Sequence, residues 1–182
     1  MTPNIHTVSP ADAVEAAFSR IQQECMADVP ILNPALAVEA IDFQRWQGQW
    51  LGMVVTPWCM SLLLLPGSIE NWISTGGNKR RFVRFPAGDF AFLGGHETEL
   101  GEYQSCSLFS PMGKFSSQSE ATMTARASLV GLLTAPQPPQ VTDKKNRTTV
   151  EAPVSRRAFF CFSKAVSCHL CTKCRSPKGC CN

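Results

Sequence analysis

Two apolar runs, one ending at Val55 and one covering Cys59–Leu65, are separated by Thr56-Pro57-Trp58. Each is the length of a strand and too short to span a bilayer. Pro57 cannot donate to a sheet ladder, so the break reads as a corner or bulge between strands. Pro66-Gly67 closes the second run with turn chemistry. Leu62-Leu63-Leu64-Leu65 shows no period-2 alternation. A strand of that kind is apolar on both faces and needs cover on both, which the amphipathic segments on either side can supply. This pair of strands is the expected centre of one small α+β domain.

The flanking pattern supplies the rest. Ser9-Pro10-Ala11-Asp12 reads as a helix start, with Ser9 as N-cap and Pro10 at the first helical position. Val14, Phe18, Ile21 and Cys25 then fall on one face, with Glu15, Arg20 and Gln23 on the other, and Pro30 lies beyond the end. Leu36 to Phe43 reads as a strand, and Gln47-Gly48 leads into the central pair. Ser68 to Asn78 is a loop with Trp72 and Gly76-Gly77. Lys79 to Phe85 alternates into a strand with a basic outer face, stopped by Pro86. Phe90 to Leu93 is a short strand, Gly94 to Gly101 a loop with His96, Glu97 and Glu99, and Glu102 to Phe109 the last strand. Ser117-Gln118-Ser119-Glu120 is a capping box. Met123, Ala127, Val130 and Leu133 mark the expected inner face of the helix that follows. Short links between consecutive strands predict an antiparallel sheet flanked by an N-terminal and a C-terminal helix, with the helices packed on one side.

Composition then divides the 182 residues. Residues 1–134 form the expected body. Residues 135–154, with Pro136, Pro138, Pro139 and Pro153 among polar neighbours, read as a disordered linker. Residues 155–182 form a basic, cysteine-rich tail. The tail's six basic residues (Arg156, Arg157, Lys164, Lys173, Arg175, Lys178) exceed the whole chain's net +3, which leaves −3 for residues 1–154. A mildly acidic body argues against nucleic-acid binding. No apolar run reaches the roughly 18–20 residues of a membrane helix, so stable membrane insertion is not expected. The N-terminus lacks the basic and apolar regions of a secretory signal, which points to a reducing compartment. There, the scattered Cys25, Cys59 and Cys106 read as buried small hydrophobes.

Catalytic motifs are lacking. There is no Gly-x-Ser-x-Gly, phosphate loop or His-Glu-x-x-His, and Thr75-Gly76-Gly77-Asn78-Lys79 lacks phosphate-loop spacing. His96 beside Glu97 and Glu99 could serve a metal or acid–base role, but one His among surface acids reads first as a solvated group. Cys106 has no nearby His. In the tail, Cys168, Cys171 and Cys174 have metal-ligand spacing, and Cys180 or Cys181 offers a fourth thiolate for zinc or an iron–sulfur cluster. The spacing after Cys174 fits neither a ferredoxin run nor a zinc ribbon, and an unstructured tail stays open as the alternative. Pro57-Trp58-Cys59-Met60 and Phe109-Ser110-Pro111-Met112 both lie at strand ends. They form either an apolar, peptide-accepting groove or ordinary core.

Several stretches together resemble the HybE/HupJ family of nickel–iron hydrogenase assembly chaperones. They are Asn33–Ala40, Trp46–Gly52, Val55–Met60, Arg84–Phe90 and Gly101–Met112, within a match from about Pro10 to Leu133. The resemblance implies a non-enzymatic, cytoplasmic maturation factor without a cofactor. Its partners would be hydrogenase small or large subunit precursors, the small subunit carrying a twin-arginine export signal. No catalytic residues carry over. The expected client surface is Pro57, Trp58, Met60, Glu102, Phe109, Pro111 and Met112. Ser155-Arg156-Arg157-Ala158-Phe159-Phe160 resembles the core of a twin-arginine signal. Either it mimics the client and docks on Glu97, Glu99 or Glu102, or it is a chance basic-aromatic tail. The rival function is a metal-binding or redox accessory protein using the tail cysteines.

Overall fold

The computed structural model describes residues 3–26 and 29–135. The elements are α1 (Ala11–Cys25), β1 (Glu39–Trp46), β2 (Gln49–Val55), β3 (Met60–Leu65), β4 (Arg80–Phe85), β5 (Gly88–Glu97), β6 (Gly101–Phe109) and α2 (Gln118–Leu133). The strands form one antiparallel sheet in the order β1-β2-β3-β6-β5-β4.

Local chemistry explains the turns. Gln47 (φ 50°) and Gly48 (φ 80°) join β1 to β2. Positive φ at both positions is what a two-residue hairpin with right-handed strand twist requires. Thr56-Pro57-Trp58-Cys59 turns β2 into β3 as a tight hairpin, the corner and not the bulge of the two expected forms. The Thr56 amide donates to Cys59 O at 2.9 Å, and the Thr56 hydroxyl both donates to that carbonyl (2.8 Å) and accepts from the Cys59 amide (2.9 Å).

β3 is buried at every residue. Met60, Leu62 and Leu64 pack into a cluster with Leu51, Met53 and α2, while Leu63 and Leu65 pack into a second cluster with Val54 and α1. The helices therefore lie on opposite faces of the sheet. This corrects the expectation that both pack on one side: one-sided packing would leave Val54, Leu63 and Leu65 in water, at about 1.5–3 kcal/mol for each large side chain.

α1 buries the expected face, with Val14, Ala17 and Phe18 inside. Its N-cap is Pro10, without a side-chain cap, and not Ser9. α2 begins as its capping box predicts: Ser117 Oγ accepts from the Glu120 amide. The Glu120 carboxylate reaches back one residue further, to the Ser116 amide at 2.8 Å. The inner face of α2 differs from the reading. Ala121, Thr122, Ala125, Leu129 and Leu132 face inward, while Met123 and Val130 are 62% and 66% exposed. Two alanines let the helix lie close to the sheet, and Thr122 donates to Glu39 on β1 at 2.8 Å. Those anchors select the small-residue face over the larger apolar one.

Strand boundaries also shift. β1 starts at Glu39, three residues after the expected Leu36, and has a bulge between Ile41 and Gln44. β5 continues through Gly94 and Gly95, where a loop was expected. A Cβ at Gly94 would lie 2.2 Å from Gly76 O, and one at Gly95 would lie 2.6 Å from the Tyr103 ring. These glycines permit close approach within a strand. The sheet curls enough for two side chains of its edge strands to touch: Trp46 of β1 stacks on Phe85 of β4 at 4.4 Å between ring centroids. The Ala87 amide in the β4–β5 turn then donates to Leu132 O at the end of α2 (3.2 Å).

The face assignment makes opposite predictions for two substitutions. Leu63→Ala should lower urea-unfolding stability by about 2–5 kcal/mol. Met123→Ala should change it by less than about 0.5 kcal/mol. Comparable losses would mean that the outward face of α2 is mis-assigned.

Candidate functional site

The two strand-end motifs do meet. Met60 is the register partner of Phe109, and Ser110 Oγ donates to Trp58 O at 3.3 Å. Asn33 ties them together: its backbone amide donates to Pro57 O (2.9 Å), and its side-chain amide donates to Met112 O (3.1 Å) and Phe115 O (2.8 Å). The result is core and not a groove. Pro57, Trp58, Met60 and Met112 are buried. Trp58 packs in the α1-side cluster and Met60 in the α2-side cluster, so the sheet separates them. Asn33 holds residues 110–115 across the strand ends. Phe109 stays half-buried, with the Lys114 ammonium 3.7 Å from its ring centroid, and Pro111 is exposed.

The acids expected to receive an arginine already have partners. Arg20 of α1 donates to Glu97 at 2.6 Å, to both oxygens of Glu99 at 2.7 and 3.0 Å, and to Glu24 at 3.1 Å. The hydrogen bonds from Arg20 hold the Glu99 carboxyl below the usual carboxylate range, and Glu99 is the main cause raising the Arg20 pKa. Burial pushes Glu102 upward, but hydrogen bonds from Ser74, the Thr75 amide, Trp72 and the Gly76 amide outweigh it and leave the group lowered. The glycine-containing loop thus directs its amides at Glu102. His96 is exposed on β5, opposite Glu102 in the register.

Burial raises the thiol pKa of Cys59 and of Cys106, which suits packing and not nucleophilic attack. Among the described residues, no group of three or more His, Cys, Asp or Glu side chains is arranged to hold a metal. No helix among them is long and apolar enough to cross a membrane. Cys168, Cys171, Cys174 and Cys180, and the twin-arginine-like Ser155, Arg156, Arg157, Phe159 and Phe160, lie outside the described residues.

Two further surfaces carry exposed apolar side chains that the reading of the sequence did not single out. One is the outer face of α2, beside an open cleft of about 480 Å³ lined by Phe43, Leu129, Val130 and Leu133, with the Arg126–Asp42 pair (3.4 Å) also in its wall. The other is β4, where Phe82 is 73% exposed between Arg80 and Arg84. The second was legible, because alternation puts residues 80, 82 and 84 on one side.

A family model described as NiFe-hydrogenase assembly, chaperone, HybE matches residues 9–162. The hydrogenase expression/formation protein HupJ of Bradyrhizobium diazoefficiens is 35% identical over 157 residues, 86% of this chain and 90% of that protein. The probable rubredoxin HupJ of Rhodobacter capsulatus is 37% identical over 123 residues, which is 68% of this chain but 44% of that protein. The solution structure of HybE from Escherichia coli superposes with a TM-score of 0.62 at 29% identity, covering 86% of this chain and 99% of that one.

The Arg20 cluster predicts a pH signature. Folded Glu99 has a lowered pKa, so its contribution is complete above the ordinary carboxylate range and is lost as pH falls through the folded value. Arg20→Ala should cost about 1 kcal/mol at pH 7. In urea unfolding at several pH values, that gap should close on acidification. A gap that stays constant to low pH would rule out the ion cluster as its source.

Proposed function

The chain belongs to the HybE family of NiFe-hydrogenase assembly chaperones, and from that membership we propose that it holds a hydrogenase precursor subunit before export. The client in this proposal is the small subunit with its twin-arginine signal, met in the cytoplasm. The chain acts by binding and carries out no covalent step, and its body uses no resident cofactor.

The observation that supports a binding role is the outward face of α2. Met123 and Val130 sit two turns apart on one face, next to the cleft lined by Phe43 and Leu133. Apolar surface left in water beside a concavity suits an apolar segment of a client. Methionine adapts to clients of differing shape because its side chain is unbranched and flexible. Of the residues expected from the sequence, Phe109 and Pro111 remain accessible and extend the proposal. Pro57, Trp58, Met60 and Met112 act from within, as the packing that holds the Phe109–Pro111 segment in place. Glu102 serves the 66–79 loop.

A second reading gives the tail a metal ion, favoured by the spacing of Cys168, Cys171 and Cys174 and by the printed name of the Rhodobacter relative. Stoichiometric metal in anaerobically purified protein, lost in Cys171→Ser, would carry it.

Calorimetric titration of a synthetic small-subunit twin-arginine peptide into the full chain tests the main reading. Micromolar binding is expected, weakened at least about tenfold by the double substitution Met123→Glu, Val130→Glu. Unchanged affinity in that variant removes α2 as the client face. No binding to the wild-type chain removes this client, and the large-subunit precursor would be titrated next.

A further inference from the structure

β4 is an edge strand, and its pairing with β5 fixes which of its backbone groups are free. Phe85 pairs with Gly88 across the two-residue turn Pro86-Ala87, and the ladder runs back to Arg80 and Leu93 without a shift. Phe85, Val83 and Arg81 therefore exchange hydrogen bonds with β5, and the Gly94 amide continues the phase by donating to Lys79 O at 2.9 Å. Arg80, Phe82 and Arg84 direct their N–H and C=O groups away from the sheet. Their side chains share one face, because Val83 and Phe85 occupy the other and pack into the α2-side cluster.

Charge on an edge strand ordinarily keeps other strands away. A large aromatic midway along the edge works against that protection, because it offers apolar contact at the point where another strand would pair. Most of the charges here also lack an acidic partner among the described residues. Arg84 has Asp89 at 3.0 Å. Among the described residues, Lys79, Arg80 and Arg81 make no ion pair with a carboxylate. The opposite edge, β1, is blunted by its bulge and by Asp42, which has φ 49° and pairs with Arg126.

We infer that the β4 edge is a second docking site, which accepts an extended, acidic segment of a partner protein as a seventh strand. Backbone hydrogen bonds to Arg80, Phe82 and Arg84 supply affinity, and alternate carboxylates meeting the arginines supply selectivity. A second copy of this chain is a poor occupant, since antiparallel pairing centred on Phe82 sets Arg80 against Arg84. The site lies on the sheet face opposite the cluster that α2 covers, so it is separate from the client face proposed above.

The probe is a blocked nonapeptide of alternating glutamate and valine, with a lysine-for-glutamate version as control, titrated into the full chain. The glutamate peptide should bind, weaken as salt rises, and slow hydrogen exchange at the amides of Arg80, Phe82 and Arg84. Arg80→Glu should weaken it about tenfold. Phe82→Pro removes one outward donor without touching the β5 ladder, and should weaken it at least as much. If Phe82→Pro does not fold, Arg80→Glu and the wild-type exchange pattern decide the matter. Failure of the glutamate peptide to bind, equal binding of the lysine peptide, or binding without protection of those three amides overturns the site. Self-association of the free chain that Arg80→Glu strengthens would replace the acidic partner with a second copy.

Discussion

A strand with leucine on both faces cannot rest on a surface. Leu62 to Leu65 has to be paired along both edges and covered above and below. That requirement places β3 at the middle of the sheet, between β2 and β6, and sends α1 and α2 to opposite faces. Nearly every other feature follows from supplying four kinds of neighbour to six residues. The curl that brings Trp46 onto Phe85 completes the cover on the α2 side, where one short helix does not span six strands.

Buried polar side chains hold the loops to this centre. Gln49 accepts from the Gly67 amide at 2.7 Å and donates to Ser68 O at 3.1 Å. Gln104, fully buried, donates to Ile73 O at 2.7 Å and accepts from Arg81 at 3.3 Å. Together with Glu102 they give the irregular stretch from Pro66 to Lys79 the hydrogen bonds that a strand would have taken from a neighbour. Arg20 does the same for the β5–β6 link, joining α1 to Glu97 and Glu99.

How much of this the sequence reveals depends on which force decides each feature. Where chemistry is local, the reading works: Ser117 caps α2, and the unbroken leucines announce a two-faced strand. Where tertiary packing decides, it fails. Met123 and Val130 look like a core face, but close approach through Ala121 and Ala125 turns them outward. Gly94-Gly95 looks like a loop because the contacts that demand glycine, from Gly76 and Tyr103, lie far away in the chain. The burial of four of the expected client residues was not legible for a related reason. Trp58 and Met60 are two residues apart across a turn, and spacing alone does not show that the turn sends them to opposite faces. Nor does it show that Asn33 will seal the strand ends.

The seam between β3 and β6 has a consequence for how the chain comes together. β1-β2-β3 and β6-β5-β4 are two three-stranded meanders whose strands hydrogen-bond to one another only along that line, yet α2, which follows the second meander in sequence, packs over β1 and β2 of the first. Neither half owns the helix that dries the α2 side of its own central strands. A partly made chain therefore has no intermediate halfway house in which Leu62 and Leu64 are covered. The contacts that cover β3 join residues far apart in sequence, an arrangement that slows folding and prolongs the exposure of an apolar strand.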